Sequence, residues 1–147
     1  MFGQYEVTMK AAPGQGIVST LVLQSDDLDE IDWELLGSYD TQGQTNYFGK
    51  GEASTSPRAV SYKLSDTTYQ HTYGVQWTSS QTTWSVDGTI VRTLRAQDAF
   101  GQYPQTPCRL KIGAWAGGDP SNAPGTIAWA GGDTDYVRII TFGLIPL

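Results

Sequence analysis

The sequence predicts an all-β fold, an antiparallel β-sandwich, and three observations carry that reading. Apolar residues recur with period two or in short runs along the 147 residues, and no stretch keeps a helical period over three turns. Glycine and proline are frequent, at 17 and 7, as in a chain of many short strands and turns. Asp87-Gly88 sits between TTWSV and TIVRTL, the pattern of a tight β-hairpin.

The elements follow in order. Tyr5, Val7 and Met9 alternate until the run stops at Ala11-Ala12-Pro13-Gly14. Residues 17–24 (IVSTLVLQ) are nearly continuous in apolar character, as expected of a strand covered on both faces. Asp26-Asp27 marks a turn, and residues 28–36 (LDEIDWELL) form the next strand. Further strands are expected at 43–48, 70–77, 82–87, 89–94 and 108–115. Residues 116–125 (AGGDPSNAPG) have the composition of an ordered surface loop. There is no internal repeat and no low-complexity linker.

Composition narrows the function. Net charge is −6 with no basic stripe, which argues against a nucleic-acid partner. No apolar run approaches the ~20 residues of a membrane span. Cys108 is the one cysteine and His71 the one histidine, so an internal disulfide, a thiolate or histidine metal cluster and a Ser-His-Asp triad are all disfavoured. No metal or cofactor is expected. The opening MFGQYEVTMK lacks a basic n-region and an apolar h-region, which leaves a cytosolic chain or one whose true beginning lies elsewhere. Five Trp and eight Tyr suit both a β-core and the stacking of sugar rings.

The third strand points to chemistry. Alternation puts Asp29, Ile31, Trp33 and Leu35 on one face, with Trp33 in the core, and Leu28, Glu30, Asp32, Glu34 and Leu36 on the other. A purely structural strand has no reason to gather three like charges. Glycosidases that retain configuration have one. Four residues of strand separate the Glu30 and Glu34 Cα atoms by about 13 Å, and two side chains each reaching about 4 Å leave a gap near the ~5–5.5 Å such enzymes use. Asp32 between them can bond either partner and help set the charge of both. Repulsion should hold at least one of these carboxyls protonated near its working pH. A calcium site would instead call for a tight loop and backbone carbonyls.

DEIDWELLG at 29–37 resembles the signature of glycoside hydrolase family 16, whose core is Glu-x-Asp-x-Glu. AAPGQGIVST, QTNYFGKG at 44–51 and WAGGDPSNAPGTIAWAGG at 115–132 resemble segments of its fungal Crh-type cell-wall transglycosylases. The resemblance implies a concanavalin-like jelly roll with a sugar cleft, incomplete here. Residues 1–136 would be a partial catalytic domain and 137–147 (VRIITFGLIPL) a divergent tail, of which VRIITF is able to supply a substitute strand. Such an unfinished sandwich would be marginally stable. By resemblance Glu30 is the nucleophile, Asp32 the assisting carboxylate and Glu34 the acid/base. The implied donor is chitin and the acceptor β-1,3-glucan or chitin. The implied place is the cell wall, outside the cell, and a monomer is expected. The competing expectations are a noncatalytic carbohydrate-binding jelly roll and an inactive fragment.

Further residues qualify as sugar contacts. Trp115 shares a polar face with Arg109 and Lys111, which favours a sugar platform over core. Asn46 and Tyr47 are neighbours on a strand, so one of them faces the cleft and the other the core. Lys50 and Arg58 are lone cations that solvent would ordinarily claim. Asp119 and Asn122, in the Gly-rich loop, suit either an acceptor sugar or Asx-type turns. His71, in register with Tyr73, Val75 and Trp77, fits a structural role by pattern, while the resemblance implies a place at the cleft edge, and the two stand even.

Overall fold

The computed structural model describes residues 2–14, 16–52 and 58–115, together with the backbone of 116 and 141–145. Its strands are β1 (Gly3–Met9), β2 (Ile17–Ser25), β3 (Glu30–Leu36), β4 (Gln42–Phe48), β5 (Val60–Lys63), β6 (His71–Trp77), β7 (Gln81–Val86), β8 (Thr89–Arg95), β9 (Cys108–Ala116) and β10 (Thr141–Ile145). One 3-10 turn, Ala96–Ala99, follows β8. Two five-stranded antiparallel sheets result, ordered β10-β1-β6-β7-β8 and β5-β4-β3-β2-β9. The all-β antiparallel sandwich expected from the sequence is what forms.

Period-two alternation builds the core. Tyr5, Val7 and Met9 of β1, and Tyr73, Val75 and Trp77 of β6, turn inward from one sheet. Leu21 and Leu23 of β2, and Ile31, Trp33 and Leu35 of β3, meet them from the other. Two indoles latch the layers, and a third ties β6 to the segment before β9. Trp33 donates to the Gly74 carbonyl at 3.0 Å, Trp84 to the Asp32 carbonyl at 2.9 Å, and Trp77 to the Pro104 carbonyl at 3.1 Å. Each fully buried ring thus satisfies its one polar atom, and deleting such a ring costs ~3–5 kcal/mol. At the Asp87-Gly88 turn both residues have positive φ, 49° and 78°, the geometry that matches the twist of a two-residue hairpin.

Three elements depart from expectation. β5 has no counterpart in the pattern, because three of its four residues are exposed and leave no apolar alternation. β2 is buried on both faces only over its first five residues; Val22 and Gln24 are half-exposed on the sheet's outer surface. The tail strand is Thr141–Ile145, paired with β1, and shares just Thr141 and Phe142 with VRIITF. Residues 137–140, and the loop expected at 117–125, lie outside the described residues.

Candidate active site

The registers of β3 with its neighbours lay out the outer surface of the second sheet row by row. Phe48, Glu30, Gln24 and Arg109 form one row; Asn46, Asp32, Val22 and Lys111 the next; Gln44, Glu34, Thr20 and Gly113 the third. Since side chains on a row share a face, the three carboxylates stand along β3 in the middle of the sheet. A cleft of about 320 Å³ opens beside them, lined by Glu30, Glu34, Thr20, Gln24, Lys111 and Trp115 among others.

The carboxylates differ in environment. Asp32 is 2% exposed, and its Oδ1 has no hydrogen-bond partner among the described residues. Burial, then the charges of Glu30 and Glu34, then a hydrogen bond to Glu30, push its carboxyl up to about 10. At neutral pH it is a neutral acid donating to Glu30. Glu34 is also raised, by burial first and by Glu30 second. Glu30 Oε2 accepts from the Gln24 amide, and the Lys111 ammonium donates to Gln24 Oε1. Glu30, held by an amide and a neutral acid, therefore faces a second carboxyl biased toward its protonated form. This is the division of labour that acid/base catalysis at a glycosidic bond requires.

Support comes from behind β3. The Asp32 carbonyl accepts from Trp84 and the Trp33 carbonyl from Thr20 Oγ1 at 2.7 Å, so the backbone between the carboxylates is held from both sides. Asp29, one residue before Glu30, is 2% exposed. It accepts from the amides of Lys50, Gln105 and Thr106 at 2.8–2.9 Å and from Thr106 Oγ1 at 2.7 Å. Burial alone would raise this carboxyl, but the four donors hold it below the ordinary range. The pattern placed Asp29 correctly on the core face. Its bonding partners were not foreseeable, because they sit in turns distant in sequence.

The expected sugar contacts fall into groups. Trp115 lines the cleft and is 48% exposed. Asn46 stands beside Asp32, its Oδ1 accepting from the Tyr47 amide at 2.9 Å. Tyr47 is a correction: once Asn46 takes the outer face, period two sends Tyr47 into the core, 6% exposed, under the guanidinium groups of Arg58 and Arg92. Arg109 is on the cleft face but pairs with Asp26 beyond the carboxylate rows. Lys50 is exposed in the turn after β4 and lines a separate cavity with Asp29, Gln102 and Gln105. Asp119 and Asn122 lie outside the described residues. His71 bonds Asp87 Oδ2 at 2.7 Å and approaches the Asp66 carbonyl at 3.1 Å, in the sheet opposite the carboxylates. Thr20, Gln24, Lys111 and Gly113 are cleft residues that pattern alone did not single out as contacts. The signal was present in β2, where Thr20, Val22 and Gln24 alternate with Leu21 and Leu23, but the apolar run around them masked it.

The family model for glycosyl hydrolases family 16 matches residues 1–131. The chain belongs to that family. Among curated family 16 relatives it is 59% identical to Crh-like protein 5 of Aspergillus fumigatus over 139 residues, 92% of this chain and 35% of that protein. It is 58% identical to Crh-like protein 1 of the same fungus, over 94% of this chain and 40% of that one. The solved structure of Crh5 transglycosylase in complex with NAG superposes with a TM-score of 0.79 at 58% identity, covering 92% of this chain and 57% of that one. A Bacillus licheniformis β-glucanase superposes with a TM-score of 0.71 at 33% identity, covering 80% and 55%. The chain thus spans 35–40% of these two curated relatives and a little over half of these solved chains. Within the described residues, no helix is long and apolar enough to cross a membrane.

Proposed function

We propose that this family 16 chain carries the centre of a retaining, endo-acting transglycosylase of cell-wall polysaccharide. The observation that carries it is the β3 face, where Glu30 and Glu34 open onto one cleft with a buried, neutral Asp32 between them. Glu30 attacks the anomeric carbon while Glu34 gives its proton to the departing glycosidic oxygen, leaving a glycosyl ester on Glu30. Glu34, now ionised, takes a proton from the incoming hydroxyl, which displaces Glu30 and restores the starting state. A sugar hydroxyl makes the reaction transfer, and water makes it hydrolysis. Asp32 holds Glu30 in place by its hydrogen bond, and Trp115 offers an indole face to a pyranose.

The likeness to Crh-like proteins and to a Crh5 transglycosylase solved with NAG supports a chitin donor, a β-1,3-glucan or chitin acceptor, and a place in the wall outside the cell. The sandwich is read as part of a longer catalytic domain, with Thr141–Ile145 closing a sheet edge.

Incubating the chain with chitin oligomers and a fluorescent oligosaccharide acceptor tests the reading. Labelled products longer than the acceptor are expected, and Glu30→Gln should abolish them together with any hydrolysis. Short unlabelled products alone would restrict the activity to hydrolysis, and turnover surviving in Glu30→Gln would remove Glu30 as nucleophile.

A further inference from the structure

The strand glycines differ in what makes them necessary. A Cβ at Gly43 would lie 2.6 Å from Leu64 Cδ1, and one at Gly74 would lie 2.4 Å from Ser85 Oγ, so a side chain at either makes a neighbour shift. Gly113, in the middle of β9, is under no such demand. Among the described residues, a Cβ there meets nothing within 4 Å, and its φ is not among the positive ones. Glycine inside a strand weakens it, through chain entropy and the missing side chain. Neither packing nor backbone conformation explains its presence, so the explanation lies in the space it leaves.

That space is in the cleft. Gly113 stands on the row of Glu34, across Thr20, and its neighbours on the same face are Lys111 and Trp115. Between an ammonium stem and an exposed indole, the sheet presents bare backbone two strands from Glu34. We infer that Gly113 sets the depth of the sugar cleft: it opens a slot into which a hexopyranose unit of a β-linked polymer settles beside Trp115 on its way past Glu34. A larger residue narrows the slot in step with its size, and a leucine fills it. The inference rests on the function proposed above and adds a size gate to it, with recognition at this point by shape and stacking rather than by hydrogen bonds from residue 113.

Calorimetric titration of chitotetraose, paired with transfer kinetics, tests the gate in wild type, Gly113→Ala and Gly113→Leu. The leucine variant should bind at least about tenfold more weakly and raise KM while changing kcat far less, with alanine intermediate. Its thermal midpoint should equal or exceed wild type, since the substitution removes a strand glycine where an added Cβ meets none of the described residues. If the leucine variant fails to fold, the gate is overturned, because the open space it depends on is then absent; the alanine variant checks this independently. Binding by Gly113→Leu within about twofold of wild type overturns the gate and leaves the proposed function standing. Failure of the wild-type chain itself to bind or transfer removes the proposed function, and the gate with it.

Discussion

At Asp32, burial and the flanking charges of Glu30 and Glu34 act in the same direction on one carboxyl group. The native state keeps a proton that the unfolded chain releases near the ordinary value of 3.8. Stability linked to this group is therefore full below that value and drains away as pH rises toward about 10. Asp32→Asn keeps the shape and has no proton to lose. It should be more stable than wild type by about 1–3 kcal/mol near pH 8, with the advantage fading toward about pH 4, while turnover falls. Unfolding curves across that range would show it; a pH-independent difference would mean that Asp32 titrates normally. Glu34 offers a second check, because Glu30→Gln removes one of its two upward pushes and leaves burial. Its carboxyl ¹³C titration should move down yet stay above the ordinary range. No movement would mean that the two carboxyls are too far apart to act as a pair. Alternation along nine residues was enough to read these three carboxylates from sequence. It could not reveal Asp29, whose partners lie 21, 76 and 77 residues away.

Asp29 belongs to the scale of elements, since it ties the entry of β3 to the turn after β4 and to the segment leading into β9. Removing it strands four donors at once, the amides of Lys50, Gln105 and Thr106 and the Thr106 hydroxyl. Asp29→Ala should lose about 2–4 kcal/mol near neutral pH by urea unfolding. Because its folded pKa is depressed, the stability it supplies is present above the ordinary carboxylate range and disappears as pH falls through the folded value. The gap between wild type and variant should narrow in acid, and a gap that widens would contradict the assignment. On the cleft side, Trp115→Ala removes the exposed indole that β9 presents, and about a 5–10-fold loss of oligosaccharide affinity is expected without loss of fold. Strands with one buried face were legible because water enforces period two on them. β5 was not, since it is an edge strand with little to bury, held by backbone pairing with β4.

For the whole molecule, the two sheets close on each other through Trp33 and Trp84, while β10 covers the outer edge of β1. Deleting residues 141–147 would bare the β1 hydrogen-bonding edge, which invites strand addition by a second chain. Light scattering on the shortened chain should show concentration-dependent association at temperatures where the full chain stays dispersed. The sandwich itself could be read from local pattern. The pairing of the tail with the first strand could not, because contact between chain ends leaves no periodic trace in either segment. Finally, the two faces of β3 serve two unrelated purposes, the carboxylates proposed for catalysis in front and core behind, and a single residue of spacing separates them. A substitution there alters one face and spares the other. An inserted or deleted residue exchanges them for the rest of the strand, sending carboxylates into the core and indole into water. Over generations this segment can therefore vary in composition far more freely than in length.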